Sequence, residues 1–120
     1  MTVKKILICD DSATDLARLQ QVLHEAGHTL LTTTSGEEAV NRAKREQPDA
    51  IFLDIVMPGM DGFAVCRSLH TDQDTKHIPV VFVSTKHQKA DQVWAKMQGA
   101  KGIVGKPYEG REILEILEML

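Results

Sequence analysis

Five short apolar runs alternate with five stretches whose apolar residues recur three or four positions apart. "VKKILIC" (3–9), "HTLLTTT" (28–34), "AIFL" (50–53), "IPVVFV" (78–83) and "GIVG" (102–105) are short and mostly aliphatic or β-branched, and they predict strands. Leu16, Leu19, Leu23 and Ala26 mark a helix over 15–26, which Gly27 stops. A second helix opens on a capping box at Ser35. The Ser35 side chain accepts from the Glu38 amide, and Glu38 reaches back to the Ser35 amide. Pro48 lies just past its end. Phe63, Cys66 and Leu69 mark a third helix after the turn "MPGMDG" (57–62). Ala90, Val93, Trp94 and Met97 mark a fourth, closed by Gly99, and Ile113, Ile116, Leu117 and Leu120 line the last.

Strands that are apolar throughout, each followed by a helix, belong to a parallel sheet covered on both faces. Right-handed crossovers wind such a chain into a doubly wound α/β sandwich. No linker, repeat or low-complexity segment interrupts the pattern, so residues 1–120 are expected to form one domain.

Composition narrows the function by exclusion. A net charge of −3 provides no basic footprint for nucleic acid, and three Phe, one Tyr and one Trp are too few for a base-stacking platform. The first apolar run is too short for a signal-peptide core, and nothing approaches the roughly 20 residues of a membrane span. A cytoplasmic protein without membrane insertion is expected. Cys9 and Cys66 are far apart, and Cys9, inside an apolar run, reads as a core residue. His24, His28, His70, His77 and His87 show no metal-ligand spacing and read as surface or loop residues. Val93, Trp94 and Met97 read first as a stripe facing the core.

The strand ends carry the chemistry. The first run ends on Asp10 and Asp11, the third on Asp54, the fourth on Ser84 and Thr85, and the fifth on Lys106 followed by Pro107. Adjacent carboxylates repel by about 4 kcal/mol at roughly 4 Å and an effective dielectric near 20, before screening. In open α/β sheets, ligand sites lie at the carboxyl ends of the strands, near the switch in strand order. Three carboxylates, a hydroxyl and an ammonium at one sheet edge suit a divalent cation and a phosphoryl group. Hard oxygen donors favour Mg²⁺, whose charge would relieve the repulsion.

These motifs, "DDS" (10–12), "DIVMPGMDG" (54–62), "PVVFVST" (79–85) and "KP" (106–107), in this order over essentially the whole chain, resemble a response-regulator receiver domain. The resemblance implies a flavodoxin-like sheet of order 2-1-3-4-5. It implies that Asp54 accepts a phosphoryl group from a sensor histidine kinase's phosphohistidine. Asp11, Asp54 and the Val56 backbone carbonyl would ligate Mg²⁺, with Asp10 acting mainly through coordinated water. Ser84 would hydrogen-bond a phosphoryl oxygen and Lys106 would pair with the same group, after a cis bond to Pro107; Thr85 stands beside Ser84, and either hydroxyl could serve. The expected protein is a monomeric phospho-acceptor, not a turnover enzyme, that switches its hold on a downstream output protein. "TKHQKADQVWAKMQGAKG" beside "DIVMPGMDGF" resembles the single-domain regulators of type IV pilus (twitching) motility systems.

A phosphate sink and a phosphorylation-independent scaffold are the alternatives within the fold. A phosphatase of the haloacid dehalogenase type needs a second aspartate two residues after its nucleophile, where this chain has Val56. Two departures from the family pattern stand out. Ile103 replaces the usual strand-five aromatic switch residue, and Val56 and Lys86 occupy the variable positions flanking the site. Since Ile103 is stiff about χ1, the switch is expected to act through the 84–90 loop and the helix carrying Trp94.

Overall fold

In the computed structural model, which describes residues 3–120, every apolar run is a strand. β1 (Lys5–Cys9), β2 (Thr29–Thr33), β3 (Ala50–Leu53), β4 (Val80–Ser84) and β5 (Gly102–Gly105) form one parallel sheet in the order 2-1-3-4-5. α1 (Ala13–Glu25), α2 (Gly36–Glu46), α3 (Gly62–Thr71), α4 (Lys89–Met97) and α5 (Gly110–Glu118) are the crossovers and the final helix. Among the described residues, no helix is long and apolar enough to cross a membrane.

Successive strand side chains point to opposite faces, which divides the core in two. Leu7, Cys9, Ile51, Leu53, Val80 and Phe82 pack against α2, α3 and Ala95 of α4. Ile6, Ile8, Phe52, Val81, Val83 and Val104 pack against Leu19, Val22 and Leu23 of α1 and Ile113 and Leu117 of α5. Burial on both faces is why the strands carry no polar alternation.

The local signals largely act as expected. Ser35 Oγ accepts from the Glu38 amide at 3.2 Å, but the Glu38 carboxylate takes the Thr34 amide at 2.9 Å, one residue earlier than the capping box predicted. Gly27 and Gly99 follow their helices with φ of +91° and +96°, a region that costs glycine little. α2 instead stops at Gln47, φ +50°, whose side-chain amide donates to the carbonyls of Lys44 and Asp74, both at 3.0 Å.

Two expectations need correction, on His28 and on the stripe of α4. His28 is buried, because its Nδ1 accepts the Lys4 amide at 3.1 Å beside the sheet. β4 ends on Ser84, as the strand-end reading expects, which draws that hydroxyl into the sheet edge. The Val93, Trp94 and Met97 stripe faces outward, with exposures of 54%, 44% and 67%. Helical spacing identifies a face without saying which way it turns. Here the inward positions are Asp91 and Ala95, one turn apart.

Phe52 is fully buried in the central strand, in register with Ile8 on one side and Val81 on the other. Phe52→Ala is predicted to lower unfolding free energy by about 3–5 kcal/mol. Urea denaturation checks it, and an unchanged midpoint would contradict the packing described.

Candidate functional site

The chain leaves β1 to one side for β2 and returns to the other side for β3, so strand order switches between β1 and β3. Beyond the last paired residues, the Asp10 amide donates to the Thr33 carbonyl at 3.2 Å and the Asp54 amide to the Cys9 carbonyl at 3.0 Å. The ladder thus delivers Asp10 and Asp54 to the same crevice. One carboxylate oxygen from each of Asp10, Asp11 and Asp54 lies within 4.8 Å of the others.

Each carboxylate is held differently. Asp10 is buried; its Oδ1 accepts the Ser12 amide at 2.9 Å and its Oδ2 accepts Lys106 Nζ at 2.7 Å. Asp54 Oδ1 accepts the next amide, Ile55, at 2.7 Å, and its Oδ2 lies 3.5 Å from Lys106 Nζ. Asp11 is exposed. Lys106 arrives from the end of β5, its amide bonded to the Ser84 carbonyl at 3.0 Å, and its bond to Pro107 is cis.

Burial raises the Asp10 pKa, and the Lys106 and Ser12 hydrogen bonds offset this only in part. For Lys106, burial works against the charge. Hydrogen bonds to Asp10 and Asp15 and the charge of Asp54 outweigh it, so the ammonium is held above its ordinary range. The three clustered carboxylates have one ammonium between them, and Asp15 shares it, so the centre is short of at least two positive charges. A clustered set of hard oxygen donors short of two positive charges is the chemistry of a divalent-cation site, compatible with the Mg²⁺ site typical of receiver domains.

The other predicted residues surround this centre unevenly. Ser84 is fully buried, and its Oγ accepts the Lys86 amide at 3.1 Å, leaving the hydroxyl proton for another acceptor. Thr85 is exposed. The Lys86 ammonium is tied to Asp91 Oδ1 at 2.9 Å, while Asp91 Oδ2 accepts the Gln88 amide at 3.0 Å, so Asp91 anchors the loop to the start of α4. The Val56 side chain is 61% exposed and offers no hydrogen bond. Ile103 lies in β5 opposite Phe82 and lines a surface cavity of about 540 Å³ with α5.

Two contributors escape a sequence reading. Asp15 places Oδ2 3.0 Å from Lys106 Nζ; in sequence it is merely an acidic residue in the first turn of a helix, ordinary complement to the helix dipole. Gly62 abuts the end of β3: its amide donates to the Ile55 carbonyl at 2.8 Å, and a Cβ there would collide with the Asp54 carbonyl and Ile55 Cα. "MDG" as turn chemistry gave the only hint.

The comparisons with known proteins settle the family. The response regulator receiver domain model matches residues 6–118. The chain belongs to that family. This receiver domain is 42% identical to protein PilH of Pseudomonas aeruginosa over 94% of the chain and 93% of PilH. Other curated relatives are longer, and the chain spans 45% of one and 23% of another. Its fold is similar to that of chemotaxis response regulator CheY4 of Vibrio cholerae, with TM-score 0.91 and 28% identity over 98% of both chains. It is also similar to a chain of the CheX–CheY–BeF₃–Mg complex of Borrelia burgdorferi, with TM-score 0.89 and 28% identity over 96% of this chain and 87% of that one.

Gly62→Ala is predicted to cost roughly 1–3 kcal/mol of stability, as overpacking against backbone does; a urea midpoint equal to native would refute the contact. Burial pushes the Cys9 thiol up to about 11 and the Cys66 thiol up to about 12, so both stay protonated near neutrality. A chromogenic disulfide reagent should therefore release almost no colour from the native protein and the full two equivalents after denaturation. Rapid colour from folded protein would show the thiols to be accessible.

Proposed function

We propose that residues 1–120 act as a phospho-acceptor receiver domain in a cytoplasmic two-component or chemosensory phosphorelay, with Asp54 as the acceptor. The observation that carries this reading is the Lys106 ammonium, 11% exposed, standing between Asp10 and Asp54. A fixed positive charge lies where negative charge must accumulate when a phosphoryl group arrives.

An Asp54 carboxylate oxygen attacks the phosphorus of a kinase's phosphohistidine. The O–P bond forms as the N–P bond breaks, and the departing electron pair remains on the imidazole nitrogen. Such transfer asks for positioning and charge neutralisation more than for covalent machinery. Asp10, Asp11 and Asp54, with the Val56 carbonyl, would hold Mg²⁺, which supplies charge neutralisation for the phosphoryl oxygens. Lys106 pairs with the same oxygens, and the Ser84 hydroxyl turns its free proton toward them. The exposed Val93, Trp94 and Met97 on α4 support a readout through an output protein that docks there. Likeness to PilH across 93% of that protein supports a narrower assignment, pilus-based motility. Val56, in place of a second aspartate, weighs against a phosphatase of the haloacid dehalogenase type.

Beryllofluoride, a phosphoryl mimic, provides the test. With Mg²⁺ it should shift the amide spectrum of the native protein and change Trp94 fluorescence. Chelation should reverse both, and Asp54→Asn should be silent. A native protein that ignores the mimic would leave a phosphorylation-independent scaffold, and a responsive Asp54→Asn would move the acceptor elsewhere.

A further inference from the structure

Lys106 has one carboxylate partner more than the charge of the acceptor centre requires. Its ammonium lies 2.7 Å from Asp10, 3.0 Å from Asp15 and 3.5 Å from Asp54. We propose that Asp15 is a positioning residue that holds Lys106 in the resting state and competes with the phosphoryl group for it, thereby lowering the site's affinity for phosphoryl. The proposal rests on the acceptor reading above and adds to it the element that sets its strength.

An ammonium has three protons to donate. Two of them go to Asp10 and Asp15, while Asp54 at 3.5 Å is an ion-pair partner only; drawing the ammonium fully onto phosphoryl oxygens therefore loosens one of those two hydrogen bonds. Asp10 is ill suited to yield, because its side chain is 5% exposed and would be left as a buried carboxylate without its cation. Asp54 carries the incoming group. Asp15 is 45% exposed and can exchange the ammonium for water at little cost. A cavity of about 220 Å³ lies on that side, lined by Thr14, Asp15, Arg18, Lys106, Pro107 and Tyr108. Arg18 is three residues along the same helix, a spacing that puts its guanidinium within reach of a released Asp15. Asp15 is therefore the releasable partner. The cap of α1 survives in the Asp15 variants, since Ser12 is the N-cap and its Oγ accepts the Asp15 backbone amide at 3.3 Å, a bond that does not use the Asp15 carboxylate.

The test compares native protein, Asp15→Asn and Asp15→Glu in beryllofluoride titrations at saturating Mg²⁺, read by amide chemical shifts. Asp15→Asn should bind roughly two- to fivefold more tightly, the range expected for loss of one half-exposed ion pair. Asp15→Glu, which keeps the charge within reach, should return affinity toward native. The gain should persist in 0.5 M salt, on the order of the concentration that screens a long-range field but not a contact pair. In the metal-free protein, the Lys106 ammonium nitrogen resonance should also move in Asp15→Asn. If native protein fails to bind the mimic, the acceptor reading falls. If native protein binds and Asp15→Asn binds equally or more weakly, competition by Asp15 is wrong. A gain abolished by salt, or an unmoved Lys106 resonance, overturns it as well.

Discussion

Lys106 and Asp10 meet at 2.7 Å with side chains 11% and 5% exposed. Taking both ions out of water costs several kcal/mol each, and the attraction between them offsets that only when their remaining hydrogen-bonding groups are satisfied. The surrounding structure supplies those partners. The Ser12 amide bonds the second Asp10 oxygen, and Asp54 and Asp15 take the other sides of the ammonium. Three strands and the first turn of α1 are thereby tied to one nitrogen. The same arrangement that makes the charges tolerable also keeps an excess of negative charge open to a cation.

Around this centre, the connections differ in how firmly they are held. The β3–α3 turn is pressed against Asp54 and Ile55 at Gly62, where no side chain fits. The residue after it, Phe63, meets Phe82 of β4 edge-on at 5.3 Å and Trp94 of α4 edge-on at 6.4 Å. An aromatic path therefore runs from Phe82, in the strand that ends on Ser84, through Phe63 to Trp94 on the exposed face of α4. The 84–88 connection beside it is held by polar contacts of the buried Ser84 hydroxyl and the buried Asp91 with the Lys86 and Gln88 amides and the half-exposed Lys86 ammonium. The Lys86–Asp91 pair, with its half-exposed ammonium, exchanges with water more readily than the aromatic packing beneath it. With Ile103 in place of a strand-five aromatic, these two layers are the structural links between Ser84 and the Trp94 surface.

Hydrophobic spacing and turn chemistry were enough to read the strand and helix succession, the parallel sheet and the sites where α1 and α4 stop. Those features depend on residues within a few positions of one another: runs apolar on both faces, Gly27 and Gly99 after their helices, Ser35 as a cap. Asp10, Asp11, Asp54, Ser84 and Lys106 were legible as candidates because each directly follows or ends a buried strand, and a polar residue there has few reasons to exist. What local spacing does not carry is direction and distance. It identified the Val93, Trp94 and Met97 stripe but not that it faces outward, because a helix's inward face is chosen by the neighbour it packs against. His28 looked like a surface residue until the Lys4 amide became its partner across the sheet edge. Asp15 and Lys106, 91 positions apart along the chain, became partners only when α1 and the end of β5 were brought to the same corner. Sequence by itself determined which groups stand at the strand ends; only the tertiary structure decided which of them share a proton donor, because ion pairing falls off over a few ångströms and the sheet, not the chain, sets those distances.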